Sequence, residues 1–228
     1  MSATIILNPR AATIETEVDS MGTLQVIPDQ VLRLGDGGGL RAFGPLTPAP
    51  LVYDTFTDAN GTAITAHTPN ISPAAWVNTA GTFNIQSNQA NAASLAGGLA
   101  LASIDTGVAD CTIEVSCVIK SGGQSSIAFR VQDSANFWMA NLKDDATTGL
   151  RLLLFTAGAP VLNETANMTV TVGQTYALKV VLLGSQIDIY VDGALVKQKT
   201  NATGATRTKH GIYAQATATR FDNFQITR

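Results

Sequence analysis

From Thr175 to Arg228 apolar and polar residues alternate with a period of two in successive short stretches, each broken by Gly, Asp or Asn. A period of two predicts strands, because neighbouring side chains in an extended chain point to opposite faces. Tyr176, Leu178, Val180 and Leu182 make one apolar row, which Gly184-Ser185 interrupts. Ile187, Ile189 and Val191 make the next, and Asp192-Gly193 then predicts a tight hairpin. Both central residues of a type I′ turn need positive φ, which Asp-Gly tolerates. Ala194–Lys197 follows and, after a polar loop, so do Gly211–Ala214 and Phe221–Ile226. The stretch reads as an antiparallel meander. The fold class it predicts is all-β, an antiparallel β-sandwich.

The same pattern extends upstream. Strands are expected at Leu51–Phe56, Cys111–Ile119, Ser125–Gln132, Phe137–Leu142, Leu150–Phe155 and Thr169–Val172, with a hairpin from Thr82–Ile85 to Asn88–Ala92. No segment keeps a helical period of 3.6 over three turns, and turn residues recur every eight to twelve positions, as in sandwiches and jelly rolls. Residues 1–50 differ. Their apolar runs are short: Ile5, Ile6 and Leu7, then Val26 and Ile27, then Val31–Leu34 including Leu32 and Leu34. A glycine run at 35–39 must be a loop, and Gly44–Pro50 reads as a stiff extended linker. A boundary is therefore expected near residue 50, between an extended or β-rich N-terminal arm (1–50) and a main domain (51–228). Fifty residues make a poor core alone, so the arm is expected to dock on something else.

Charged residues are 14% of the chain, well below the usual quarter or so. No Lys or Arg occurs between Ala42 and Ile119, and no basic cluster forms a nucleic-acid footprint. No apolar run approaches the roughly 18 residues of a membrane helix. The N-terminus lacks a basic leader region, so no signal peptide is expected. Cys111 and Cys117 share a strand face but lie roughly 20 Å apart at about 3.3 Å per residue, which predicts free thiols. Both features point to folding in a cytoplasm. The five N-x-[ST] sequons are what chance supplies in a chain rich in Asn and Thr.

Tyr53-Asp54-Thr55-Phe56-Thr57-Asp58-Ala59-Asn60-Gly61-Thr62, followed by His67-Thr68-Pro69 and Trp76, resembles the opening of concanavalin A-like lectin/glucanase (laminin-G-like) jelly rolls. Phe129–Asp133 with Asn136-Phe137-Trp138, Ile189–Gly193 and Phe221–Phe224 fit the same family, so the resemblance spans about residues 51 to 228. It implies a jelly roll and leaves function open, since that fold hosts lectins, glycosidases and structural modules. Domains of this kind are familiar in tailed-phage virion proteins behind a short particle-binding segment, and the arm ahead of the sandwich looks like that arrangement.

Catalysis finds little support. The glucanases of this family carry Glu-x-Asp-x-Glu on one strand, whereas Glu114 has no second acid beside it, and glycoside hydrolysis needs two carboxyl groups flanking the bond. Glu15, Glu17 and Asp19 share a face in the arm and read as a solvated strand. His67 and His210 read as loop histidines without a nucleophile motif. Two binding sites are candidates. Asp54 and Asp58, with Asn60 nearby, and Asp222 on the last strand supply oxygens for Ca2+; no other cofactor is called for. Trp76, Tyr190 and Tyr213 are candidates for stacking on sugar rings, with Trp76 expected to be exposed and Trp138 to be core. The expected function is non-enzymatic: a structural protein of a tailed-phage virion, capsid decoration or tail accessory. The arm, through Ile5, Ile6, Leu7, Val26, Ile27, Leu32 and Leu34, would bind major capsid or tail proteins. Homo-oligomerisation, glycan contact and a virion location go with that reading. A carbohydrate-binding adhesin is the alternative, and a glycosidase the less favoured one.

Overall fold

A computed structural model describes residues 30–34, 40–45, 49–121 and 123–228. The chain divides into two compact units, Met1–Pro48 and Ala49–Arg228. In the first, β1 (Gln30–Leu34) pairs antiparallel with β2 (Leu40–Pro45) across the glycine run. Leu32 and Leu34 fall within β1, and β2 occupies residues that sequence left partly to the linker. Ile5, Ile6, Leu7, Val26 and Ile27 lie outside the described residues.

The second unit is a sandwich of two antiparallel sheets. Its strands are β3 (Val52–Asp54), β4 (Val77–Ala80), β5 (Thr82–Ile85), β6 (Ala90–Ser94), β7 (Ala100–Asp105), β8 (Thr112–Val118), β9 (Gln124–Asp133), β10 (Asn136–Lys143), β11 (Leu150–Thr156), β12 (Ala159–Ala166), β13 (Thr175–Leu183), β14 (Gln186–Val191), β15 (Ala194–Thr200), β16 (Lys209–Ala214) and β17 (Arg220–Thr227). A seven-stranded sheet runs β12-β11-β10-β9-β16-β7-β4. An eight-stranded sheet runs β15-β14-β13-β8-β17-β6-β5, with β3 also on β17.

The period of two carries the core. Ile113, Val115 and Cys117 of β8, Leu178, Val180 and Leu182 of β13, and Ile187, Ile189 and Val191 of β14 face inward. They meet Ile127 and Phe129 of β9, Trp138, Ala140 and Leu142 of β10, and Leu150, Leu152 and Leu154 of β11. Trp138 is therefore core, with its Nε1–H donating to the Thr203 carbonyl at 2.9 Å. Both cysteines are buried and free, as their spacing predicts. The outward face of the seven-stranded sheet holds a second apolar cluster of Leu101, Ala128, Val131, Phe137, Met139, Leu153 and Tyr213, also buried.

The closing stretch is a meander only in part. β13, β14 and β15 pair in succession, and Asp192 (φ 48) with Gly193 (φ 82) makes the predicted turn. β16, however, crosses to the other sheet between β9 and β7, and β17 returns between β8 and β6. Thr169–Val172 is not a strand; it contributes one isolated bridge, Asp145 to Val170. β4, β7 and β12 had escaped the sequence reading. Their alternation is weak: β7 (ALASID) is buried on both faces, and β12 is an exposed edge.

Arg130 closes one end. It sits within β9 at φ 51, fully buried, and donates to the carbonyls of Asn201 (3.0 Å) and Gly184 (2.6 Å) in the turns of the opposite sheet. Along one side, Glu164 of β12 reaches Lys197 (2.8 Å) and Lys199 of β15 and ties the two edge strands together.

Gly211 shows how tightly β16 is inserted. A Cβ there would lie 2.0 Å from the Ala102 carbonyl oxygen on β7. Gly211→Ala is expected to lower the urea midpoint by the equivalent of about 1–3 kcal/mol or more, as overpacking does; a wild-type midpoint would contradict this packing.

Candidate functional site

Of the sequence-predicted residues, Asp54, Asp58, Trp76 and Asp222 lie around the seam where the first strand of the sandwich meets the last, while Tyr190 and Tyr213 lie elsewhere. β3 pairs with β17, Phe224 opposite Asp54 and Gln225 opposite Tyr53. Asp54 faces inward with 0% exposure. A buried carboxylate needs partners, and this one has three donors. Oδ1 accepts the Phe56 backbone N–H (2.7 Å) and His67 Nε2–H (2.9 Å), and Oδ2 accepts Trp76 Nε1–H (2.7 Å). The other ring nitrogen of His67 donates to Asp58 Oδ2 at 3.0 Å. Carboxylates only accept, so the form of His67 that satisfies both contacts is the imidazolium. Burial pulls the His67 pKa down, but the hydrogen bonds to Asp54 and Asp58 and their charges outweigh it and hold the value above 6.5. The bond from His67, then that from the Ala59 N–H, lowers the Asp58 pKa. Aromatic rings seal the cluster: Phe56 packs at 5.8 Å and Phe224 at 5.0 Å from Trp76.

This geometry bears on the calcium expectation. The cation between Asp54 and Asp58 is the His67 imidazolium, and donors within the fold also engage the neighbouring oxygens. Asp58 Oδ1 accepts from Ala59 N–H and Thr62, Asn60 Oδ1 from Ser87 N–H, and Asp222 Oδ1 from Asn223 N–H. Burial, and after it the Asp54 charge, raises the Asp222 pKa. Among the described residues no group of three or more His, Cys, Asp or Glu is arranged to hold a metal.

The stacking expectation is corrected in part. Trp76, expected to be exposed, is 1% exposed because its indole N–H is spent on Asp54. Tyr213 is 1% exposed within the second apolar cluster, and burial pushes its hydroxyl up to about 12. Tyr190 is half-buried, with Lys179 Nζ 4.5 Å from its ring centroid. Trp76 and Tyr213 offer no open ring face.

A second pair resembles a nucleophile and its base. Cys111 Sγ lies 3.6 Å from His210 Nε2. The imidazole is committed elsewhere, however. Its Nδ1 accepts the Arg130 backbone N–H (3.4 Å), which places the ring proton on Nε2, where it donates to the Val108 carbonyl (3.1 Å). Nε2 is then no base for the thiol. Burial first, and the Arg130 charge as well, lowers the His210 pKa to about 4, while burial pushes Cys111 up to about 12. The pair is neutral and unreactive.

Two clefts remain. One, about 940 Å³, lies at an end of the sandwich beside Asp110, Cys111, Leu183 and Arg228. The other, about 350 Å³, lies on the outward face of the eight-stranded sheet beside Tyr53, Glu114, Lys179 and Asn223. Each is lined by a single acidic side chain, Asp110 and Glu114 respectively. Sequence had named Glu114 only as a lone acid. Tyr53, Lys179 and Asn223 went unnoticed, because only strand register brings them together.

With this geometry in hand, solved structures are informative. A carbohydrate-binding module, CBM66 from Bacillus subtilis, superposes with TM-score 0.53 at 21% identity, over 67% of this chain and 95% of its own. The β-glucanase of Bacillus licheniformis superposes with TM-score 0.51 at 13% identity, over 77% and 97%. The fold is a concanavalin A-like jelly roll. No protein-family profile and no curated protein matches the sequence.

The histidines make opposite pH predictions. His67 has a folded pKa above its unfolded value, so its contribution is complete below pH 6.5 and is lost as pH rises through the folded value. His210, at about 4, contributes above pH 6.5 and loses that contribution as pH falls towards 4. Urea midpoints measured against pH are expected to fall on both sides of a maximum near pH 6.5. His67→Gln is expected to lower the maximum and flatten the alkaline limb; an unchanged alkaline limb would contradict the imidazolium assignment.

Proposed function

We propose that this chain is a non-catalytic structural protein of a tailed-phage virion, capsid decoration or tail accessory. In this reading residues 1–50 attach it to capsid or tail proteins and the jelly roll is displayed. One observation carries the non-catalytic part: each cleft is lined by a single acidic side chain, where glycoside hydrolysis takes two. The two buried histidines are also spent on the fold. Supporting the attachment part are the separate compactness of Met1–Pro48 and the sparse charge of the chain, 14%, which suits a protein packed among neighbours. Extended segments of the arm would pair with partner backbones by strand addition, and repeated copies on a lattice would strengthen attachment by avidity.

A second reading, a carbohydrate-binding module or adhesin, is favoured by the similarity in fold to a protein whose name records carbohydrate binding. The two readings are compatible, since a displayed module can also bind.

Deleting residues 2–45 tests the attachment. The truncated chain is expected to stay folded by circular dichroism and to be missing from purified phage particles that incorporate the full chain. Incorporation of the truncated chain at full-chain levels would overturn the proposal.

A further inference from the structure

The register of the eight-stranded sheet shifts at three places among the described residues, and one of them falls between β8 and β17 in its middle. Between Asp222 opposite Ser116 and Gln225 opposite Glu114, two residues of β17 face one of β8. This is a β-bulge, a device that re-aims side chains and recurs beside binding sites. Phe224 stays in the core against Trp76, so the extra residue, Asn223 at φ 49, is the one turned outward and exposed. Beside it the ladder presents small residues, Ser116 opposite Ala177, with Gly193 at the next turn. Longer side chains stand around them. Tyr53 is opposite Gln225, and Lys179 is opposite Glu114. The result is the 350 Å³ groove, spanning four strands of the sheet.

Its chemistry is specific in kind. One carboxylate and one ammonium, 3.6 Å apart, leave the lining without net charge. Around them are the carboxamides of Asn223 and Gln225, the Ser116 hydroxyl and the Tyr53 phenol. Lys179 is also held over the Tyr190 ring, which fixes the ammonium in place. Both carboxylate oxygens of Asp54 and of Asp58 accept from donors within the fold; here Glu114 is engaged by the long Lys179 contact. An anion entering the groove would meet Glu114, a cation would meet Lys179, and an apolar ligand would strand both. A neutral ligand rich in hydroxyls matches the mixture of donors and acceptors, and an aromatic ring at the rim suits the C–H face of a sugar. We propose that this groove binds a residue of a neutral saccharide. Glu114 accepts hydroxyl protons, Lys179 and the carboxamides donate, and Tyr53 lies against the ring. The site is on the eight-stranded sheet, opposite to the face that carries Tyr213, and stands whether or not residues 1–50 attach to a particle.

NMR titration of the isotopically labelled full chain with glucose, galactose, mannose and N-acetylglucosamine tests this, with glucuronic acid and glucosamine as charged controls. At least one neutral sugar is expected to give saturable shifts at the amides of Tyr53, Ser116, Ala177 and Asn223, and to bind more tightly than either control. Glu114→Gln and Tyr53→Ala are each expected to weaken that binding by about tenfold, with folding verified from the unperturbed core resonances. Absence of saturable shifts in the groove, shifts confined to the seven-stranded sheet, tighter binding of a charged control, or Glu114→Gln with wild-type affinity would each overturn it.

Discussion

A carboxylate taken out of water must be compensated by donors that are themselves well placed, and the sandwich meets this demand at Asp54. Its two oxygens gather a backbone N–H, an imidazolium and an indole N–H from residues as far along the chain as Trp76. Doing so fixes the path of the segment from Thr55 to Pro69 over the end of the core and sets Trp76 against Phe224 of the last strand. The first and last strands are thereby joined by more than the three ladder pairs between β3 and β17. The other end is closed by related means, with buried Arg130 satisfied by carbonyls of the opposite sheet.

These constraints determine which polar side chains the fold itself uses. Residues that attract attention by type, Asp54, His67, Trp76, Cys111 and His210, are the ones whose polar atoms are used within the fold. Tyr213 is lost to the second apolar cluster on the seven-stranded sheet. Facing outward instead is a set of ordinary surface residues, Glu114, Lys179, Asn223 and Tyr53, brought together beside a bulge. The proposed function accordingly rests on surfaces, with the jelly roll as a charge-poor platform.

The core was readable along the chain because alternation and burial coincide: Ile113, Val115 and Cys117, or Ile187, Ile189 and Val191, each fall on one face. Asp192-Gly193 was readable for a comparable reason, since few residue pairs accept positive φ at both positions. β7 escaped because a strand buried on both sides does not alternate, and β16 was assigned to the wrong sheet because periodicity carries no information about which neighbour a strand pairs with. Asp54 and Asp222 were rightly placed at a common seam. The donors to Asp54, His67 and Trp76, were not legible, because they arrive through the tertiary path of a turn-rich segment. The groove was invisible for the same reason, as Tyr53 and Lys179 are 126 positions apart in the sequence (179 − 53).

The central claim is that Asp54 is the structural keystone of the sandwich and not a ligand to calcium. Equilibrium urea unfolding of the parent and of Asp54→Asn, each with calcium and with chelator, tests it most directly. Removing one partner from a buried charge pair is expected to cost about 3–5 kcal/mol, with calcium leaving both midpoints unchanged. A variant as stable as the parent, or a parent midpoint that rises with calcium while that of the variant does not, would contradict the account.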